Sequence, residues 1–398
     1  MSSRLRKTAL VLSGGGARAA YQVGVLQAIA EIQPEPLCNP FPIICGTSAG
    51  GVNAGVLAVQ ADNFSLAVGR LSEVWRNFRP QHVYRADVPG VAANALRWLS
   101  GLFFGAFIPS GGLSMLDNRP LQKLLEQHLD FANIRSNIER GALDAIAITC
   151  SGYTSGQSCS FFEAGPQVAG WNRLQRVGIK CAISVEHLMA STAIPFIFPA
   201  YKVHREYFGD GSIRQIAPVS PALHLGADRV MVIGTASVRA QAPERTRGDG
   251  RPTLAQVAGH VMSSIFLDGL SVDIERIEHI NRTISLTLRG DPCEAGLPLR
   301  RVDVMVLTPS KALEGIAQKH VHRLPFAIRL LMRVFGAMRR SGGNLASYLL
   351  FEQVYCRELM QLGYQDAIAR REEITAFLEG KMSPVHVALL PHAGANAS

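Results

Sequence analysis

The sequence predicts an α/β fold, and three observations carry that prediction. Thr8-Ala9-Leu10-Val11-Leu12-Ser13 is a short, largely apolar run ending in glycines, the pattern of a central strand in a parallel sheet. Helical spacing takes over from Arg18 to Ile32 and is stopped by Pro34 and Pro36. A second buried-looking run, Pro42–Cys45, is again followed by a helical stretch, Ala49–Ala61. Strands alternating with helices signal a layered α/β architecture.

Further strands are predicted at Ala145–Cys150, Ser160–Glu163, Arg229–Ile233 and Val302–Leu307. Helices are predicted at Asn63–Phe78, Pro120–Leu129, Glu186–Thr192 and Leu254–Ile280, with Asp117 or Asn118 ahead of Pro120 as a start signal. Gln241–Pro252, rich in Arg, Gly and Pro, reads as a solvated loop. It divides a core at 8–240 from an extension at 253–370 that completes it, with a tail at 371–398.

At 398 residues and 47% hydrophobic content, the chain can bury one large core or two ordinary ones. Its formal net charge of +9 suits an anionic partner such as an acidic bilayer surface, or simply serves solubility. Nucleic acid is not indicated, because there is no zinc-ligand spacing and no basic stretch interleaved with stacking aromatics. The seven cysteines contain no C-x-x-C pair, so neither a metal site nor a disulfide framework is expected, and a reducing compartment is favoured. Arg4, Arg6 and Lys7 before an apolar run imitate a signal peptide, but Thr8–Leu12 is too short for its hydrophobic region. With no stretch of roughly 20 apolar residues, a cytoplasmic protein without membrane spans is expected, peripherally membrane-bound at most.

Two segments carry the chemistry. Gly46-Thr47-Ser48-Ala49-Gly50, between the second strand and its helix, is a G-x-S-x-G nucleophile elbow that would project the Ser48 hydroxyl from a sharp turn. Gly14-Gly15-Gly16-Ala17-Arg18 opens the first helix. Backbone N–H groups there can hold a phosphate or the oxyanion of an acyl-transfer intermediate. Gly14-x-Gly16-x-x-Ala19 also fits a dinucleotide fingerprint, which demands an acid at the end of the second strand. Ser48 follows that strand instead, and Glu31 and Glu35 precede it, so the oxyanion reading gains.

Ser48 comes too early in the chain for an α/β-hydrolase triad, and His187, His204 and His224 lack catalytic context. Asp210, between Gly209 and Gly211, reads equally as a turn former or a base. Ala190-Ser191-Thr192-Ala193-Ile194-Pro195-Phe196-Ile197-Phe198-Pro199 reads as a helix end running into a proline-bounded apolar loop.

Taken together, the glycine nest, the elbow, the Ala190–Pro199 run (A-S-x-A-x-P-x-x-F-P) and Asp210-Gly211 resemble the patatin-like phospholipases in identity and order. The resemblance runs from about Thr8 to Ile233. Ser347–Phe351 and Leu362–Ala367 look like the tails of bacterial members. It implies a three-layer α/β/α core with a mainly parallel central sheet and a helical C-terminal extension. It also implies a Ser48–Asp210 dyad without histidine, an oxyanion hole at Gly14, Gly15 and Gly16 that Arg18 helps to fix, and an elbow made by Gly46, Thr47, Ala49 and Gly50. No metal or cofactor is implied. The substrate would be a lipid acyl ester, a phospholipid or lysophospholipid. Ala19 and Ser212 replace residues usual in the family, and both are small. A transacylase, or a catalytically silent lipid-binding protein on the same fold, is the alternative.

Two further segments bear on lipid contact. Leu99–Pro109, within Val91–Met115, is an apolar aromatic run that reads as core or as a lid beside Ser48. From Gly315 to Phe351 there is no acid, and Lys319, Arg323, Arg329, Arg333, Arg339 and Arg340 alternate with apolar residues. A basic amphipathic helix of that kind suits an anionic membrane surface, or packs as a terminal helix with a solvated face.

Overall fold

The computed structural model describes residues 6–35, 37–85, 114–236, 254–287, 300–334 and 343–381. The loop 241–252, the run Leu99–Pro109 and all of the 91–115 segment but its last two residues lie outside these, as do 335–342 and everything beyond Lys381.

The strands are β1 (Thr8–Leu12), β2 (Ile43–Thr47), β3 (Ala145–Gly152), β4 (Ser158–Ala164), β5 (Trp171–Arg173), β6 (Arg176–Lys180), β7 (Tyr201–Val203), β8 (Glu206–Asp210), β9 (Arg229–Ile233) and β10 (Asp303–Leu307). They form one sheet in which eight follow the order β10-β9-β1-β2-β3-β4-β6-β5, while β8 pairs with β3 and β7 with β8. The five strands from β10 to β3 are mutually parallel. β4 and β8 both run antiparallel to β3.

The α-helices are α1 (Ala20–Ile32), α2 (Ala49–Val59), α3 (Phe64–Arg76), α4 (Pro80–Val83), α5 (Arg119–His128), α6 (Ala132–Glu139), α7 (Val185–Ser191), α8 (Ser220–His224), α9 (Leu254–Thr287), α10 (Leu313–His320), α11 (Phe326–Val334), α12 (Gly343–Leu349), α13 (Gln353–Ile368) and α14 (Arg371–Leu378). Alternation along β1 explains why they lie on both faces. Leu10 and Leu12 enter a core shared with α1, α2, α3 and α13, while Ala9 and Val11 enter a second core with α8 and α9. The α/β/α expectation is thereby met. No helix among the described residues is long and apolar enough to cross a membrane.

Local chemistry sets several boundaries. α3 starts where the Asn63 side chain accepts the Leu66 N–H (3.0 Å), a cap worth about 1 kcal/mol. The first helix begins at Ala20 because Gly16–Ala19 forms a 3₁₀ turn. The basic segment Gly315–Phe351 is divided where the sequence suggested one helix. Leu324, forced extended by the proline after it, separates α10 and a 3₁₀ turn at Val321–Arg323 from α11. Within the stretch read as tail, α14 buries Ile374 and Phe377.

Candidate active site

Sheet register brings Ser48 and Asp210 together. β2 ends with Thr47 paired to Thr149 of β3. The next residue of β3, Cys150, is paired instead with Asp210, because β8 arrives from the opposite direction. Strand β8 therefore takes over beside β3 where β2 stops, and its last residue meets the elbow head-on. Gly211 packs against the Thr149 carbonyl and the Thr47 methyl.

Ser48 is 2% exposed and has φ 55 and ψ −131, a left-handed conformation that costs a non-glycine residue about 1–3 kcal/mol. Two features hold it there. Gly50 lies so close to the end of β1 that a Cβ would collide with the carbonyls of Leu12 and Ser13, which fixes the start of α2. The Ser48 N–H donates to Ser191 Oγ (2.8 Å), and that hydroxyl donates to the Thr149 carbonyl (2.6 Å). One hydroxyl thus ties the elbow to β3 from the end of α7. Thr47 ends the strand before the turn, and Ala49 begins the helix after it.

Asp210 is 1% exposed. Its N–H donates to the Ala193 carbonyl (2.8 Å), and its Oδ1 accepts the Ser212 N–H (2.9 Å). Its Oδ2 is buried and has no hydrogen-bond partner in this structure. Burial pushes the carboxyl up to about 6, and the Ser48 hydroxyl is the largest of the influences pulling it back, ahead of the Ser212 N–H and hydroxyl. A buried carboxylate raised to this value beside a serine hydroxyl can take up and release a proton near neutral pH.

The glycine loop lies at the carboxyl ends of β1 and β9, where the strand order reverses and α/β sheets open a crevice. Thr235, just after β9, donates from Oγ1 to the Gly14 carbonyl (2.5 Å) and from its N–H to Ser13 Oγ (3.1 Å). Gly15 packs on the same threonine side chain. Gly16 has φ 55 and is backed by the Tyr348 carbonyl, so only glycine fits there. Arg18, 1% exposed, is engaged with the C-terminal helices. Its Nε donates to Ser347 Oγ (2.8 Å), its Nη2 pairs with Glu314 (2.9 Å), and its guanidinium lies 4.2 Å above the Tyr348 ring. Arg18 therefore braces the loop from behind.

A cleft of about 460 Å³ opens beside Ser48, walled by Gly16, Trp75, Phe78, Ile194, Phe198 and Phe351. Val52, Trp75, Phe78 and Leu121 also line a wider neighbouring pocket of about 1590 Å³. Trp75 is oriented by a buried relay. Its indole N–H donates to Asn53 (2.9 Å), Asn53 donates to Gln22 (3.0 Å), and Gln22 donates to the Ser13 carbonyl (2.8 Å). Walls of this composition suit an apolar chain and offer little to a polar group.

None of the three histidines considered from the sequence lines this cleft. His187 is buried beside Ser184 and Cys181 and pushed down to about 4 by burial, His224 stacks on Trp171, and His204 turns the exposed β7–β8 hairpin. Sequence reasoning missed Ser191 as a support, although it quoted the residue. It gave no sign of Thr235 or Glu314, and it quoted Ser347 only in a tail resemblance without its contact to Arg18; all three contacts span more than two hundred residues.

With this geometry established, likeness to known proteins can be stated. A family model described as patatin-like phospholipase matches residues 10–223, more than half of the chain. A cGAMP-activated phospholipase of Pseudomonas aeruginosa is 26% identical over 241 residues, covering 58% of this chain and 63% of that protein. The lysophospholipase nte1 of Aspergillus terreus is 39% identical over 77 residues, covering 18% of this chain and 5% of that protein. Among solved structures, human GIVD cytosolic phospholipase A2 with methyl gamma-linolenyl fluorophosphonate aligns with TM-score 0.43 and 13% identity, over 95% of this chain and 59% of that one. VipD of Legionella pneumophila aligns with TM-score 0.34 and 13% identity, over 93% and 67%. The match at 10–223 holds the elbow, the glycine loop and Asp210: this chain belongs to the patatin-like phospholipase family.

Proposed function

We propose that this protein hydrolyses fatty acyl esters of phospholipids or lysophospholipids through a Ser48–Asp210 dyad. The observation that carries the reading is the bare, buried Oδ2 of Asp210, set by register against a strained serine at the head of an apolar cleft. The Asp210 carboxylate takes the Ser48 proton as Oγ attacks the ester carbonyl. The resulting oxyanion lies by the glycine loop and the N-terminus of α2, whose N–H groups and dipole favour negative charge. Collapse breaks the ester C–O bond, and Asp210 returns the proton to the leaving alkoxide. The acyl group now sits on Ser48. Asp210 then deprotonates a water, which attacks the acyl carbonyl and frees the fatty acid, and the proton passes back to Ser48.

Substrate reaches the cleft from a lipid surface in this reading. The exposed Phe326 and Leu330 of α11, with Arg333 exposed on the same helix, would touch an anionic bilayer.

Wild type, Ser48→Ala and Asp210→Asn are compared by fluorophosphonate labelling and by hydrolysis of a chromogenic short-chain ester and of phospholipid vesicles. Labelling confined to Ser48, with hydrolysis lost in both variants, is the expected result. An unlabelled, inactive wild type would instead assign a lipid-binding role, and an acylated alcohol product would assign transacylation. An equal loss in His187→Ala would contradict the dyad.

A further inference from the structure

Phe196 is the one described position where the rim of the cleft breaks the rules of both backbone and burial. Ile194 accepts the Ile197 N–H (3.1 Å) across Pro195 and Phe196, giving a four-residue turn. Proline at the second position and positive φ at the third is the pattern of a type II turn, whose third position calls for glycine. This chain places phenylalanine there, at φ 66. For a bulky side chain that is a genuine outlier.

The outlier is held from outside. The carbonyls of Phe196 and Ile197 accept the N–H groups of Met115 and Leu116 (2.8 Å each). The conformation does not serve to bury the ring, which is 67% exposed, while its neighbours Ile194, Ile197 and Phe198 are all buried. Ile194 and Phe198 turn into the Ser48 cleft. The turn thus faces two residues inward as cleft wall and holds an aromatic ring outward between them. The β7–β8 hairpin that follows adds exposed Lys202 and Arg205. Of its two acids, Asp210 is buried, and Glu206 is occupied by the N–H groups of Thr154 (2.8 Å) and Ser155 (2.6 Å).

We propose that Phe196 is a rigid interfacial anchor that inserts into a phospholipid surface and seats the mouth of the cleft on it, with Lys202 and Arg205 meeting anionic headgroups. The proposal rests on the lipid-hydrolase reading and names the surface its site works on. An exposed ring on a strained turn has no partner in water, whereas in the acyl–headgroup boundary it gains apolar contact. Because the turn fixes the backbone that carries the ring, little backbone freedom remains to be lost on docking.

Phe196→Gly is an unusually clean test, since glycine is the residue the turn geometry favours and folding is not endangered. Binding is measured by sedimentation with equimolar phosphatidylglycerol–phosphatidylcholine vesicles, and hydrolysis on those vesicles and on a soluble short-chain ester. Phe196→Gly should melt no lower than wild type and hydrolyse the soluble ester within about twofold of it. Vesicle binding and vesicle hydrolysis should both fall about tenfold, the loss of partly burying one phenyl ring. In Phe196→Trp, binding should persist and indole emission should shift to the blue on adding vesicles. Wild-type binding by Phe196→Gly, an equal loss on the soluble ester, or unshifted emission from Phe196→Trp would each overturn the proposal. Soluble-ester hydrolysis that survives Ser48→Ala would overturn the catalytic reading alone. Emission of Phe196→Trp in a Ser48→Ala background still judges the anchor in that case.

Discussion

Replacing Asp210 by asparagine should make the protein more stable and nearly inactive. Burial raises the folded-state pKa of this carboxyl from its ordinary 3.8 to about 6. Between those values the folded chain binds more protons than the unfolded one, so stability is lost as pH rises through that window. Below about pH 3.8 both states are protonated and nothing is lost. Above about pH 6 the loss is complete. A separation of that size corresponds to about 3 kcal/mol, at 1.36 kcal/mol for each pH unit.

The amide of Asp210→Asn carries no charge to desolvate. Its oxygen can keep the bond from the Ser212 N–H, and its NH₂ takes the place of the unpartnered Oδ2. Urea unfolding near pH 8 should show the variant more stable by up to about 3 kcal/mol, with the gain disappearing near pH 4. On the soluble ester, kcat/KM should fall by roughly 10²–10⁴. For wild type, kcat/KM should climb through about pH 6 and then level, since only the ionised carboxyl can accept the serine proton. A variant less stable than wild type near pH 8, or a gain indifferent to pH, would refute the desolvation argument. A flat wild-type profile between about pH 5 and 7 would refute the assignment of the base.

Two other changes probe the supports of the site. Ser191→Ala strips the Ser48 N–H of its acceptor and should cost about 1–3 kcal/mol in thermal unfolding, with kcat falling more than KM rises as the elbow relaxes. At the brace, Glu314→Ala leaves the buried Arg18 charge without its carboxylate, whereas Arg18→Met leaves only a part-exposed Glu314. Glu314→Ala should therefore be the costlier change, by about 1–3 kcal/mol in urea titrations, and the reverse order would contradict a buried-charge origin.

The legible parts of this molecule are those whose physics is local. β9 occupies Arg229–Ile233, the span its apolar run predicts, because a strand buried on both faces needs no tertiary information to be recognised. Ser48 could be named because its elbow needs small residues at fixed offsets. Asp210 was harder: between two glycines it looks like a turn, and it is the end of β8. Its meaning comes from pairing with Cys150, a register no spacing along the chain encodes. β5 and β7 are three residues each, too short for any period to declare itself. The roles of Ser347 and Glu314 were not legible because an exposed and a buried hydroxyl or carboxylate look alike until a partner such as Arg18 is brought beside them.

That last point bears on how the chain is divided. The family match ends at residue 223, yet β9 lies between β1 and β10 in the sheet and begins at Arg229. Thr235 holds the Gly14 carbonyl, Tyr348 backs Gly16, and Glu314 and Ser347 hold Arg18. Each contact falls on the glycine loop, and each comes from outside the matched segment. A loop proposed to present N–H groups to a developing oxyanion could not also satisfy them internally, so its shape would have to be imposed by such neighbours. The strands that set Ser48 beside Asp210, β2, β3 and β8, by contrast all lie before residue 223. The proposed nucleophile and base thus both lie within the matched segment, whereas the shape of the glycine loop proposed to hold the oxyanion depends on residues beyond it.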